Sequence, residues 1–269
     1  MNWTDTHNHL QDSRLPEKKG IIREMKAVGI SRCVVNATSE EDWEAVEKLA
    51  QAEPGFVFPA FGIHPWKAHL AKNGWQQLLI ALLEKHPVAS IGECGVDRWV
   101  SQPSLEIQLP VFTDQLRIAR ELERPASIHC LKAWDALFAA FQKEPPPERF
   151  LMHSFGGSIE IARRLIPLGA YFSFSGYFLH PKKQAVLEVY RQLPPERIVL
   201  ETDAPDMLPP AGQITHSLSE ARNHPANLPA IGTRLAEALG MTADALAAIT
   251  QENAAHLFPG RAEPPSPLA

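Results

Sequence analysis

Cysteine is scarce in this chain: three residues in 269, Cys33, Cys94 and Cys130. They lie in apolar segments at no zinc-like spacing, and an odd count rules out a closed disulfide framework. The expectation is reduced thiols that pack as small core residues in a cytosolic protein. An excess of positive charge is also missing. The formal net charge is −5, so the overall field draws the chain toward neither nucleic acid nor an acidic membrane. Any polyanion must be held by a local site. No apolar run approaches the roughly 20 residues of a membrane span, and Met1 to Leu10 is too polar for a secretory leader. The first β-rich run is not followed by G-x-G-x-x-G, which weakens the case for an open doubly wound sheet. Neither a dividing linker nor an internal repeat beyond strand–helix alternation is visible.

Apolar substance, by contrast, is ample at 45%. Short β-rich runs recur at Asn2–Leu10, Ser31–Thr38, Phe56–His64, Val88–Val96, Ala126–Cys130, Phe150–Phe155, Ala170–Gly176 and Ile198–Asp203. Several are almost continuously apolar, as strands buried on both faces should be. Between them lie segments of helical spacing. Ser39 followed by Glu40, Glu41 and Asp42 reads as a capped helix start. Leu109, Phe112, Leu116, Ala119 and Leu122 form a stripe along Gln108–Leu122, and Ser158–Leu168 and Pro181–Leu193 read similarly. Strand alternating with helix eight times predicts a single-domain α/β fold, a (β/α)8 TIM barrel over residues 1–259. Asn227–Gly240 and Thr242–Phe258 are expected to be two closing helices, and the proline-rich stretch 260–269 a disordered tail.

The polar residues gather where such a barrel builds its sites. In TDTHNHLQD, residues two apart on a strand share a face, so Asp5, His7 and His9 are expected together. His64, His129, His153, Glu93 and Asp203 also stand at the ends of predicted strands. Each alone is more simply a hydrogen-bonded structural residue. Together, imidazoles and carboxylates on one rim are tolerable only with a cation between them. Imidazole nitrogen and carboxylate oxygen suit zinc, manganese and iron, and carboxylate-rich positions also admit magnesium. Six ligands, His7, His9, Glu93, His129, His153 and Asp203, exceed the need of one structural ion. Shared between two divalent ions with Glu93 as a bridge, they leave positions for water and substrate.

Other features have a structural and a functional reading. His69, His86, His180 and His256 are expected at the surface. Trp66, Trp99 and Phe178 follow strand ends, where they can stack a base, although packing between loops is the favoured reading. The turn His153–Ser158 offers backbone N–H groups for a phosphate. Glu201 shares the parity of Asp203, and either orients a ligand histidine or pairs with a base.

With DTHNHL, FGIHPW, IGECGVDR, QLPVFTDQLRIARELERP, SIHC, HSFGGS, YFSFSG and LETDAPD in order along the chain, the sequence resembles the TatD-like DNases among the amidohydrolase-like metal-dependent barrels. The resemblance implies His7, His9 and Asp203 on one metal, His129 and His153 on the second, and Glu93 bridging. It implies Asp203 as the general base that orients the attacking water and His64 as a contact to the scissile phosphate, so that the catalytic residues are Asp203, Glu93 and His64. It further implies a metal-bound hydroxide that cuts DNA from the 3′ end. Asn223-His224-Pro225 replaces a common Asn-Glu-Pro, and Arg98-Trp99 replaces an aromatic pair, so the substrate rim departs from the family pattern. The acidic chain lacks a broad basic groove, which makes single strands the expected substrate. No membrane and no obligate protein partner are expected. Two rivals stand beside this reading. One is hydrolysis of an amide, ester or lactone at the same site, although no lysine replaces Glu93. The other is a metal-binding scaffold without turnover, which should lack a ligand; none is missing.

Overall fold

A computed structural model describes residues 1–260. Apart from Gly260, the stretch 260–269 lies outside the described residues. The chain runs β1 Trp3–Asn8, α1 Lys18–Ala27, β2 Ile30–Asn36, α2 Glu40–Ala52, β3 Val57–Phe61, α3 Trp75–Lys85, β4 Ser90–Asp97 and α4 Leu105–Glu121. It continues β5 Ala126–Leu131, α5 Trp134–Lys143, β6 Phe150–Met152, α6 Ile159–Leu165, β7 Ala170–Ser175, α7 Gln184–Tyr190, β8 Ile198–Glu201, α8 Leu228–Ala238 and α9 Ala243–Leu257. All neighbouring strands pair parallel in sequence order. The seam between β8 and β1 is joined just past the strand ends: Asp203 N–H donates to His7 O at 2.9 Å and His9 N–H to Ala204 O at 2.8 Å. The result is a TIM barrel.

Several predicted runs outlast the strands they mark. His64, His153 and Asp203 all fall beyond the ladders, because apolar patterning reports burial whereas pairing stops where the chain turns outward. Ser158–Leu168 divides into α6 and a 3-10 turn at Ile166–Leu168, as Pro167 has no N–H to continue the ladder. At the start of α2, Asp42 reaches back and accepts from Thr38 N at 3.0 Å and Ser39 N at 3.2 Å, supplying the reciprocal half of a capping box.

Strand alternation sorts the interior. Val35, Phe61, Phe150, Phe172 and Leu200 belong to the main core between sheet and helices, whereas Val34, Ala60, Leu151, Tyr171 and Val199 form a second cluster with Ala254, Leu257 and Phe258. The end of α9 therefore plugs the barrel floor. The two helices expected to close the fold do different jobs. α8 is the eighth helix of the ring, packed so tightly that a Cβ on Gly232 would lie 2.5 Å from Trp3. With the floor apolar, polar chemistry is confined to the other mouth.

Candidate metal centre

His7 at the end of β1 and His9 just past it owe their place to a bulge. Between Asp5 and Asn8 the strand carries one residue more than its partner, since Asp5 pairs with Cys33 and Asn8 with Val35. The extra residue breaks strict alternation. Asp5 is consequently not beside the imidazoles as the period predicts. Its carboxylate accepts from Thr202 Oγ1 at 2.6 Å, Thr202 N at 3.0 Å and Asn8 Nδ2 at 3.1 Å. It clips the β1 and β8 ends together from behind, and burial pushes its pKa up to about 7. On the far side of the barrel, Gly95 lets β4 approach β5: its φ is +145° and a Cβ there would sit 2.0 Å from His129 O. Only glycine fits that contact, and it brings Glu93 against His129.

Around Glu93 the six other predicted side chains meet. His7 Nε2 and His9 Nε2 each lie 3.3 Å from Glu93 Oε2 and 3.3 Å from one another. Asp203 Oδ1 lies 3.6 Å from His7 Nε2 and 3.4 Å from His9 Nε2. A tetrahedral ion with bonds of about 2.0–2.1 Å needs ligand atoms roughly 3.3–3.4 Å apart, so the donor set fits. The other oxygen, Glu93 Oε1, faces His153 Nε2 at 2.9 Å, His129 Nδ1 at 3.0 Å and His64 Nε2 at 3.2 Å. One carboxylate thus presents a separate oxygen to each of two clusters.

Groups behind the rings decide which nitrogen offers a lone pair. His9 Nδ1 must donate to the carbonyl of Asn36 at 2.8 Å, so a neutral His9 turns a bare Nε2 to the pocket. His129 Nε2 meets Asp97 Oδ2 at 2.7 Å, which leaves Nδ1 as its free donor atom. His64 is the reverse. Its Nδ1 accepts from Trp66 N at 3.1 Å, so the neutral ring presents Nε2–H. That ring can donate a hydrogen bond into the pocket but offers no lone pair there.

Electrostatics record the same hunger for positive charge. Burial drives His7 and His64 below the ordinary imidazole value. Burial opposes protonation of His9 and His153 as well, yet Glu93 with Asp203 or Glu201 overcomes it and raises both well above that value. Burial likewise works against ionised Glu93, but the surrounding imidazoles hold it well below the usual carboxylate range. Asp203 is lowered in the same manner, against burial, chiefly by its bond from His9. Protons on imidazoles here do what a cation would do.

Asp97 is the residue that motif reading passed over. It takes His129, Trp66 Nε1 at 2.9 Å and Trp99 N at 2.5 Å. Its signal was available, two steps on from Gly95 and four from Glu93 in one strand. Glu201 faces the back of the His153 ring, with Nδ1 at 3.8 Å, and accepts from Ser154 N at 2.8 Å and the hydroxyls of Ser154 and Ser173. Ser154 and Phe155 spend their N–H groups on Glu201 and Ser173 O, so these two N–H groups of the His153–Ser158 turn are not available to a phosphate. Of the aromatics, Phe178 packs as expected, but Trp66 and Trp99 are 45% and 62% exposed. His69 and His256 are at the surface, while His86 and His180 are half-buried against Glu47 and the Leu208 carbonyl.

An eight-stranded parallel barrel with acids and imidazoles converging at one mouth defines the class of metal-dependent hydrolase barrels. Within that class the chain belongs to the TatD related DNase family, whose model matches residues 4–259. The 3'-5' ssDNA/RNA exonuclease TatD of Escherichia fergusonii is 30% identical over 246 residues, 90% of this chain and 93% of that protein. An uncharacterized metal-dependent hydrolase of Bacillus subtilis, YabD, is 31% identical over 94% of this chain and 98% of its own length. The crystal structure of the Escherichia coli TatD homolog YjjV superposes with a TM-score of 0.86 at 26% identity, covering 95% of this chain and 97% of that one. Among the described residues no helix is long and apolar enough to cross a membrane.

Proposed function

We propose that this protein is a two-metal exonuclease that removes nucleotides from the 3′ ends of single-stranded DNA or RNA. The observation that carries the reading is Glu93, with Oε2 turned to His7 and His9 and Oε1 to His129 and His153. His7, His9 and Asp203 would hold one divalent ion and His129 and His153 the other, magnesium, manganese and zinc all being compatible with the donors. When bound, such a pair acidifies water and neutralises charge developing on phosphoryl oxygens. The chain's own groups do the rest. Asp203, ionised at neutral pH, accepts the proton of the attacking water. His64 donates its Nε2–H to a non-bridging phosphoryl oxygen, exchanging Glu93 for substrate. The substrate assignment is supported by the exonuclease name of the Escherichia fergusonii relative.

The test is digestion of a 5′-labelled single strand by protein stripped with chelator and reloaded with each metal in turn. A ladder shortening from the 3′ end is expected. Glu93→Gln and Asp203→Asn should each lose about 10²–10³-fold in activity while remaining folded, as removal of transition-state electrostatics does elsewhere. Cleavage of amides or lactones without cleavage of any phosphodiester would replace this reading with its rival, and full activity in both variants would remove the site from catalysis.

A further inference from the structure

Beside the metal centre, a cleft of about 480 Å³ opens on His153 and Asp203, and its walls carry Trp99, Lys132, Tyr177 and Lys183. That volume lies within the roughly 300–1,000 Å³ of small-molecule sites. Phe178, 4% exposed, is also part of the lining, whereas Trp99 and Tyr177 are 62% and 36% exposed. Large aromatics bury area wherever packing allows, so two left open at the mouth of one cleft are free to receive another flat group. Each carries an ammonium: Lys132 Nζ lies 4.1 Å from the Trp99 ring centre and Lys183 Nζ 5.0 Å from that of Tyr177. Lys132 adopts φ +55°, a left-handed conformation uncommon outside glycine and concentrated at functional sites. In an acidic chain, two lysines lining one apolar cleft are a local exception to the net charge.

We infer that this cleft is the subsite for the base of the nucleotide being released, a nucleobase stacked on Trp99 or Tyr177 while its 5′-phosphate stands at the metal centre. A lysine stem is flexible enough for the ammonium to swing off the ring, which frees the aromatic face for the base. The inference rests on the exonuclease reading and deepens it, since it assigns specificity to residues outside the metal cluster. It also gives a role to Trp99, which stands where the family pattern has a different residue pair.

The experiment compares kcat/KM on oligonucleotides that end in an intact 3′ nucleotide or in a 3′ residue lacking its base. The parent should favour the intact end by at least tenfold, the lower range for one base–aromatic stack. Trp99→Ala should shrink that ratio about tenfold and Trp99→Phe should retain it; position 99 is exposed enough for either to spare the fold. An unchanged ratio in Trp99→Ala and in Tyr177→Ala overturns the assignment. If neither oligonucleotide is cut with any metal, the exonuclease reading itself fails. Calorimetric titration then judges the cleft alone: deoxyadenosine 5′-monophosphate binding at least tenfold tighter than deoxyribose 5-phosphate, with the difference lost in Trp99→Ala, supports it, and equal binding overturns it.

Discussion

His129 illustrates how a side chain acquires its chemistry from what stands behind it. Asp97 takes its Nε2 at 2.7 Å, and the same carboxylate oxygen takes the indole of Trp66, while the other takes Trp99 N. With Val100 N at 3.4 Å, four donors converge on one acid that has no proton to give. An asparagine has a single acceptor oxygen and would turn an NH2 group toward one of those donors. Asp97→Asn is therefore expected to weaken metal affinity and kcat/KM by about 10–100-fold, the usual effect of losing such an orienting carboxylate. Metal titration alongside kinetics checks this, and a change below about threefold would show that His129 is held by its neighbours alone. Burial works against ionised Asp97, yet the bond from His129 keeps its pKa below the ordinary value.

At the scale of elements, the segment after β8 is anchored by polar contacts in place of a long helix. Asn223 Nδ2 donates to Thr202 O at 2.8 Å, and Asn227 Nδ2 to Asn223 Oδ1 at 3.1 Å. His224 accepts from Ala226 N through Nδ1 at 3.0 Å and faces Glu24 of α1 through Nε2 at 3.1 Å. Burial lowers its pKa to about 4; Glu24 pulls the other way and His216 adds to the fall. The unfolded chain takes up this proton near pH 6.5 and the native state only near pH 4. Between those values the unfolded state binds more protons, so His224 favours the fold at neutral pH and the advantage is lost as pH drops through that window. His224→Asn keeps a capping acceptor and removes the titration. Its melting temperature should fall less between pH 7 and about 4.5 than the parent's. An equal fall in both would mean that Glu24 keeps His224 protonated in the fold.

For the molecule as a whole, the mouth of the barrel is a concentrated demand for cations set in a chain whose other end is sealed by α9. Ligands that bind only the native state stabilise it by mass action, about 2.7 kcal/mol at a hundred times Kd. A domain of this size changes its melting temperature by roughly 2–4 °C per kcal/mol. Stripping the metal should lower the melting temperature by about 5–10 °C and abolish hydrolysis, with both restored by readdition. Activity that survives exhaustive chelation would contradict a metal centre, whatever the melting curve does.

Much of this architecture was legible because strand and helix periods differ and because the polar residues interrupt apolar runs at their ends. That pattern pointed to the barrel, the seven site residues and the need for a cation. It could not show that a bulge turns Asp5 away from His7 and His9 to clip Thr202, since one inserted residue inverts facing without altering composition. Nor could it show that Phe178 is buried while Trp66 and Trp99 stay open, which depends on what other segments pack above them. The sequence by itself determined which chemical groups reach the mouth of the barrel. Only the tertiary structure decided which nitrogen each ring presents, because that follows from a carbonyl, a carboxylate or an amide supplied by another part of the chain.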